Sequence, residues 1–192
     1  MKRKKICLVL CHPSDKSFNG ALCRQYMEGA DRSGHEVRLL DLYNLKFDPI
    51  LRDPLSFAQE EEAAILEARQ AIKWCDHMVL VFPVWWFSLP ALLKGFLDRV
   101  LIPGWAYKFD GPMMWQKLLR GRSARIICTM DSAPIFAKFI GDPVSGSLKS
   151  GTLGFVGFEP VSISCYGPLK LSCSWMRSQW LSEVRALGEN AA

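Results

Sequence analysis

The sequence predicts a doubly wound α/β sandwich: five parallel strands in the order 2-1-3-4-5 with helices on both faces, one domain over residues 1–192. Three observations predict it. Four apolar runs of strand length, "ICLVLC" at 6–11, "MVLVFPV" at 78–84, "ARIICTM" at 124–130 and "VSISCYG" at 161–167, alternate with stretches of helical periodicity. The first two runs are apolar throughout rather than at every second residue, as in strands buried on both faces of a parallel sheet. At 192 residues, 49% of them apolar, the chain buries an adequate core without a disulfide or metal staple.

Along the chain, the first strand leads into a helix near 19–33, closed by Gly34. "EVRLLDLY" at 36–43 half-alternates and fits an outer strand. A second helix is predicted near 58–74, with the carboxylates of "EEEAA" at its positive end. After the third strand, Leu89, Leu92, Leu93, Phe96, Leu97, Val100 and Leu101 recur at helical spacing as one apolar face. The stretch 134–154 is helical or irregular, and a last helix follows near 173–187. The loops at 44–56 and 102–112 are rich in proline and aromatic residues and are expected to pack as ordered flaps or to meet a partner.

The net charge is +5, part of it from "MKRKK", which reads as a solubilising terminus rather than a nucleic-acid arm. The six apolar residues that follow are too few for a signal-peptide core or a membrane span. A cytoplasmic protein with no nucleic-acid partner and no membrane insertion is expected. Seven cysteines without a C-x-x-C pair exclude a disulfide framework and a zinc ribbon. Cys11, near the end of the first strand, is the thiol for which a redox role stays open.

In this architecture the ligand crevice lies beyond the carboxyl ends of the strands, where the order reverses. Three segments converge there: "CHPSDKSFN" after strand one, "FPVWWFS" after strand three and "TMDSAP" after strand four. The first reads either as a plain capped turn or as a phosphate site, since a helix start exposes unpaired N–H groups, Ser17 and Asn19 are capping residues, and His12 and Lys16 add charge. In the second, Ser88 is expected to cap the following helix. A planar heterocycle would lie on Trp85, Trp86 and Phe87, held at its edge by amides from Val84 to Phe87. Adjacent aromatics point in different directions, so at least one faces solvent or ligand. No G-x-G-x-x-G, Walker loop, H-E-x-x-H or G-x-S-x-G occurs. His35 and His77 lie far from the crevice, so a cofactor would supply the chemistry.

"HPSDKSFN" together with "FPVWWFSLPALLKGFLDRVLIPGWAYKF" resembles the flavodoxin-like NAD(P)H:quinone oxidoreductase family over residues 5–168. The resemblance implies a flavodoxin-like sandwich with His12, Ser17, Phe18 and Asn19 around the flavin phosphate. It implies Pro83, Val84, Trp85, Trp86 and Phe87 along the flavin ring, and Thr129, Met130 and Asp131 closing the other side. It further implies hydride transfer from NAD(P)H to a quinone or similar planar acceptor, in ping-pong order. Sites at a homodimer interface would be walled by Trp105, Tyr107 and Phe109. One departure matters: where the family carries a glycine pair followed by tyrosine and histidine, this chain has "TMDSAPIFAKFIGDP", with Phe136, Phe139 and Ile140 in their region. The short stretch after the last predicted helix favours FMN over FAD. Members of the same family also serve as flavin-binding subunits of potassium efflux systems, and flavodoxins proper carry single electrons; the basic charge disfavours the carrier.

Overall fold

The computed structural model of the protein describes residues 2–14, 16–53, 59–132, 135 and 144–192. Its elements in order are β1 (Lys5–Leu10), α1 (Phe18–Arg32), β2 (Glu36–Asp41), α2 (Ala63–Trp74), β3 (His77–Pro83), α3 (Ala91–Val100), β4 (Tyr107–Phe109) and β5 (Trp115–Lys117). There follow β6 (Arg122–Thr129), a π-helix over Ser145–Gly154, β7 (Phe158–Tyr166) and a helix over Ser174–Asn190, here α4.

The main sheet runs β2-β1-β3-β6-β7 with every neighbouring pair parallel, which is the predicted 2-1-3-4-5 order. Successive residues of each strand point to opposite faces, so a continuously apolar strand feeds two cores. Cys7, Val9, Leu80, Phe82 and Ile126 pack on the side of α2 and α3. Ile6, Leu8, Val79, Val81 and Ile127 pack on the side of α1 and α4. The two helices on that second side touch backbone to backbone. A Cβ on Gly29 of α1 would lie 2.1 Å from the Arg185 carbonyl oxygen, and one on Gly188 of α4 would lie 2.1 Å from that of Tyr26.

Three expectations are corrected. The acidic run lies just ahead of α2 rather than inside its first turn, with Glu62 as the N-cap and the helix starting at Ala63. Glu61 and Glu62 instead pair with the buried guanidinium groups of Arg69 and Arg99. Buried cations need partners more than a helix end needs carboxylates. Arg99 also donates to the backbone oxygens of Asp48 and Glu60, and Arg69 to those of Arg99 and Val100, so the pair clasps Asp48 and residues 60–62 to α2 and α3. Second, Ser88 does not cap α3, whose N-cap is Pro90. Third, the 102–112 loop supplies the first strand of an antiparallel hairpin, β4–β5, not anticipated from the sequence.

Phe136, Phe139 and Ile140 lie outside the described residues. Among the described residues no helix is long and apolar enough to cross a membrane.

Candidate functional site

The carboxyl ends of β1, β3 and β6 lie side by side, with Leu10 paired to Val81 and Pro83 paired to Thr129. The three predicted segments therefore meet at one edge of the sheet.

At the first, Ser17 has extended backbone and its side chain accepts from the Gly20 N–H at 3.1 Å, which fixes the start of α1. The amides of Phe18 and Asn19 precede the first intrahelical bond and point out of the helix start. His12 is held beside this loop, its Nδ1 accepting from the Ser14 N–H at 3.0 Å and its ring 6.2 Å from that of Trp85.

Asn19 reaches across the crevice rather than into it. Its side chain is buried and donates to Thr129 Oγ1 at 2.9 Å, tying α1 to the end of β6. Its Oδ1 is buried with no hydrogen-bond partner among the described residues. A buried acceptor left open normally meets a water or a ligand donor.

The second segment is the most unusual part of the molecule. Trp85 and Ser88 exchange backbone hydrogen bonds of 3.1 and 2.9 Å around a two-residue turn. Its central residues, Trp86 and Phe87, have φ of 51° and 56°. Two successive bulky residues in the left-handed region cost about 1–3 kcal/mol each, and such strain gathers at ligand sites. The turn throws Trp86 fully into solvent, leaves Trp85 42% exposed and half-buries Phe87.

The expected row of four amide donors needs correction. The Val84 N–H donates to the Thr129 carbonyl at 2.7 Å and that of Trp85 closes the turn. The amides of Trp86 and Phe87 have no partner among the described residues. Val84 therefore joins β3 to β6, and two donors, not four, face outward.

In the third segment Thr129 and Met130 are buried, and the Met130 amide donates to Tyr166. Asp131 is exposed and paired with Lys170 at 2.9 Å, which offsets its charge near an anion site. One neighbour gave no sequence signal. Arg177 of α4 lies over the Phe18 ring at 5.9 Å, fixed by bonds to Ser172 Oγ and the Leu169 carbonyl. Only the fold brings that helical arginine to the α1 start.

Burial pushes the Cys11 thiol up to about 12, which removes the thiolate a redox role requires. His35 and His77 lie at the amino ends of β2 and β3, away from the crevice, as expected. The flap of Trp105, Tyr107 and Phe109 does not reach the crevice of its own chain. Tyr107 packs on Phe155, with ring centroids 5.1 Å apart, just before the amino end of β7 and so at the edge of the sheet away from Thr129.

A doubly wound parallel sheet with a ligand crevice at its switch point defines a flavodoxin-like α/β protein. The flavodoxin-like fold family matches residues 4–172. The Mus musculus ribosyldihydronicotinamide dehydrogenase (quinone) is 33% identical over 188 residues, covering 83% of this chain and 79% of that one. Smu.1420 from Streptococcus mutans superimposes with a TM-score of 0.85 at 30% identity, covering 96% of this chain and 98% of that one. An FMN-dependent NADH-azoreductase from Bacillus anthracis, solved in complex with FMN, shares the fold with a TM-score of 0.79 at 18% identity, covering 97% of this chain and 98% of that one. The chain belongs to the flavodoxin-like NAD(P)H:quinone oxidoreductase family.

Proposed function

We propose that the protein is a cytoplasmic, homodimeric, flavin-dependent oxidoreductase that passes electrons from NAD(P)H to a quinone or similar planar acceptor, folded as one domain over residues 1–192. The observation that carries this reading is the left-handed Trp86–Phe87 turn, which holds two aromatic side chains and two unpaired amides beside the capped start of α1. FMN is supported by the complex of the Bacillus anthracis relative, and the acceptor class by the name of the mouse relative.

The residues present fit a flavin. The amides of Phe18 and Asn19, the Ser17 hydroxyl and the His12 ring would supply the donors that a phosphate requires. Pro83, Val84, Trp85, Trp86 and Phe87 would hold the ring, and Thr129, Met130 and Asp131 would close its other side. When bound, the flavin supplies the redox chemistry, taking hydride from NAD(P)H and giving it to the acceptor in ping-pong order. The chain's part is binding and electrostatics. Amide donors at Trp86 and Phe87 would favour negative charge at the ring edge, and aromatic side chains would exclude water. No side chain need act as an acid or base.

The homodimer gives the flap a role. Because Tyr107 and Phe109 stand at the edge of the sheet opposite the crevice, they can wall only a site on a second copy. Phe109, Met113 and Met114 are 59%, 88% and 69% exposed, an apolar surface suited to such an interface.

The test is direct. The purified protein should be yellow, release FMN on denaturation, and oxidise NAD(P)H with a soluble benzoquinone. A colourless protein that takes up neither FMN nor FAD would overturn the reading.

A further inference from the structure

Under α1 and α4, Tyr26 Oη, His77 Nε2 and Arg125 Nε are all buried without a hydrogen-bond partner among the described residues. The strand register sets them together. His77 lies opposite Ser123, and Arg125 stands two residues further along β6, opposite Val79. Val79 and Ile127 face the α1 side, so by alternation His77 and Arg125 face it as well, and Tyr26 of α1 packs in the same cluster as Val79 and Ile127. We propose that these three groups hold a small monovalent anion of the chloride class, with the Arg125 guanidinium as its counter-charge.

Folded proteins rarely leave buried polar atoms open, so a cluster of them marks a water or an ion. The local charge decides between the two. Arg125 is half-buried and makes no ion pair among the described residues. Its Nη1 donates at 2.8 Å to Ser164 Oγ, a neutral acceptor. Glu183, the carboxylate that reaches this face from α4, hydrogen-bonds the Tyr166 phenol instead. A guanidinium that loses water without gaining a carboxylate is costly, and burial lowers the Arg125 value accordingly. The charges around His77 have the same sign: Lys4 and Arg125 reinforce burial in keeping its ring neutral.

Arg125 Nε–H and the Tyr26 hydroxyl are donors. A water could accept from both but would leave the positive charge in place, whereas an anion accepts and neutralises together. It would select the His77 ring form in which Ser123 Oγ, 2.7 Å away, donates to Nδ1 and Nε2 carries the proton. Tyr26 and His77 are 0% and 2% exposed, so the enclosure suits one small ion rather than a branched oxyanion. Ser162 and Ser164 of β7 are half-buried and leave Arg125 an approach from the sheet edge. His77 opens β3, at the end of the strand away from Ser17 and Trp86, so the site stands whether or not a flavin binds.

Two measurements on the full chain test this. Crystals grown in sodium bromide should give an anomalous peak within hydrogen-bond distance of Arg125 Nε and Tyr26 Oη. In solution, replacing gluconate by about 0.2 M chloride at constant ionic strength should raise Tm by about 2–4 °C. Arg125→Gln should abolish that rise, and Tyr26→Phe, which removes only the hydroxyl, should cut it by about half or more. Lys73→Gln, at an exposed cation on α2, should keep it in full. Should Arg125→Gln fail to fold, Tyr26→Phe carries the comparison. The proposal is overturned if density between these atoms has no anomalous signal, which would make the occupant a water. It is equally overturned if the chloride response survives in the Arg125 and Tyr26 variants, or is lost in Lys73→Gln.

Discussion

Trp86 works against the fold and for the site. It is fully exposed, so it adds no burial, while its φ of 51° costs about 1–3 kcal/mol. Glycine adopts that φ without strain but loses about 0.5–1 kcal/mol in chain entropy. Trp86→Gly should therefore stabilise the protein by about 1 kcal/mol, a rise of about 2–4 °C in Tm for a chain of this size. The same change should weaken FMN retention by about tenfold or more, read by equilibrium dialysis. A variant that gains no stability would show the turn to be unstrained, and one that keeps its FMN would separate Trp86 from the flavin. His77 is the second residue with a measurable consequence. Burial, with lesser contributions from Lys4, Arg125 and His35, lowers its value from 6.5 to about 3. The unfolded chain then binds a proton that the folded one refuses, so the contribution to stability is complete above pH 6.5 and is lost as pH falls towards 3. Urea midpoints measured from pH 7 to 3 should fall more gently for His77→Gln than for the wild type; parallel profiles would mean that His77 protonates normally in the folded state.

Among the elements, the α1–α4 contact is the most exacting. Gly29 and Gly188 let two helix backbones touch, and a methyl group at either would lie 2.1 Å from a carbonyl oxygen. Backbone cannot yield as a side-chain tip can, so Gly29→Ala and Gly188→Ala should each cost about 3 kcal/mol, at the upper end of overpacking penalties. Denaturant unfolding would show the loss, and a cost near zero would mean that the helices slide apart freely. Nothing local marks these glycines, because each is required by a partner about 160 residues away in the chain. What was legible depended on local pattern. Strands buried on both faces are written as continuous apolar runs, which fixed the order of the main sheet and hence the meeting of "HPSDKSFN", "FPVWWFS" and "TMDSAP". The adjacency of Trp85, Trp86 and Phe87 correctly announced an aromatic facing out of the core. Their left-handed backbone was hidden, because neither Trp nor Phe signals positive φ as glycine does. Strands of three residues such as β4 and β5 are too short to show a period, and the pairing of Glu61 and Glu62 with Arg69 and Arg99 is tertiary.

At the scale of the whole molecule, the proposed homodimer would have each chain hold two halves of a site that it cannot join by itself. The Trp86 turn stands at the carboxyl edge of the sheet and the flap of Tyr107 and Phe109 at the amino edge. Burial raises the Tyr107 phenol above its ordinary value, so it remains neutral as part of an apolar wall. In a two-fold dimer the turn of one copy and the flap of the other would compose each site. This arrangement makes a prediction that no monomer satisfies. Trp86→Ala should impair the turn, and Tyr107→Ala with Phe109→Ala should impair the flap, so each homodimer should be nearly inactive. When the two variants are unfolded together and refolded at equal concentration, about half of the dimers should be mixed, and each mixed dimer should hold one site with both halves intact and one with neither. Activity per chain should return to about a quarter of the wild-type value, with full-strength KM, because the restored sites are whole rather than weakened. Refolding the variants separately and mixing them afterwards controls for exchange. If co-refolding restores nothing while both variants form dimers by sedimentation, the flap belongs to its own chain or to no site at all.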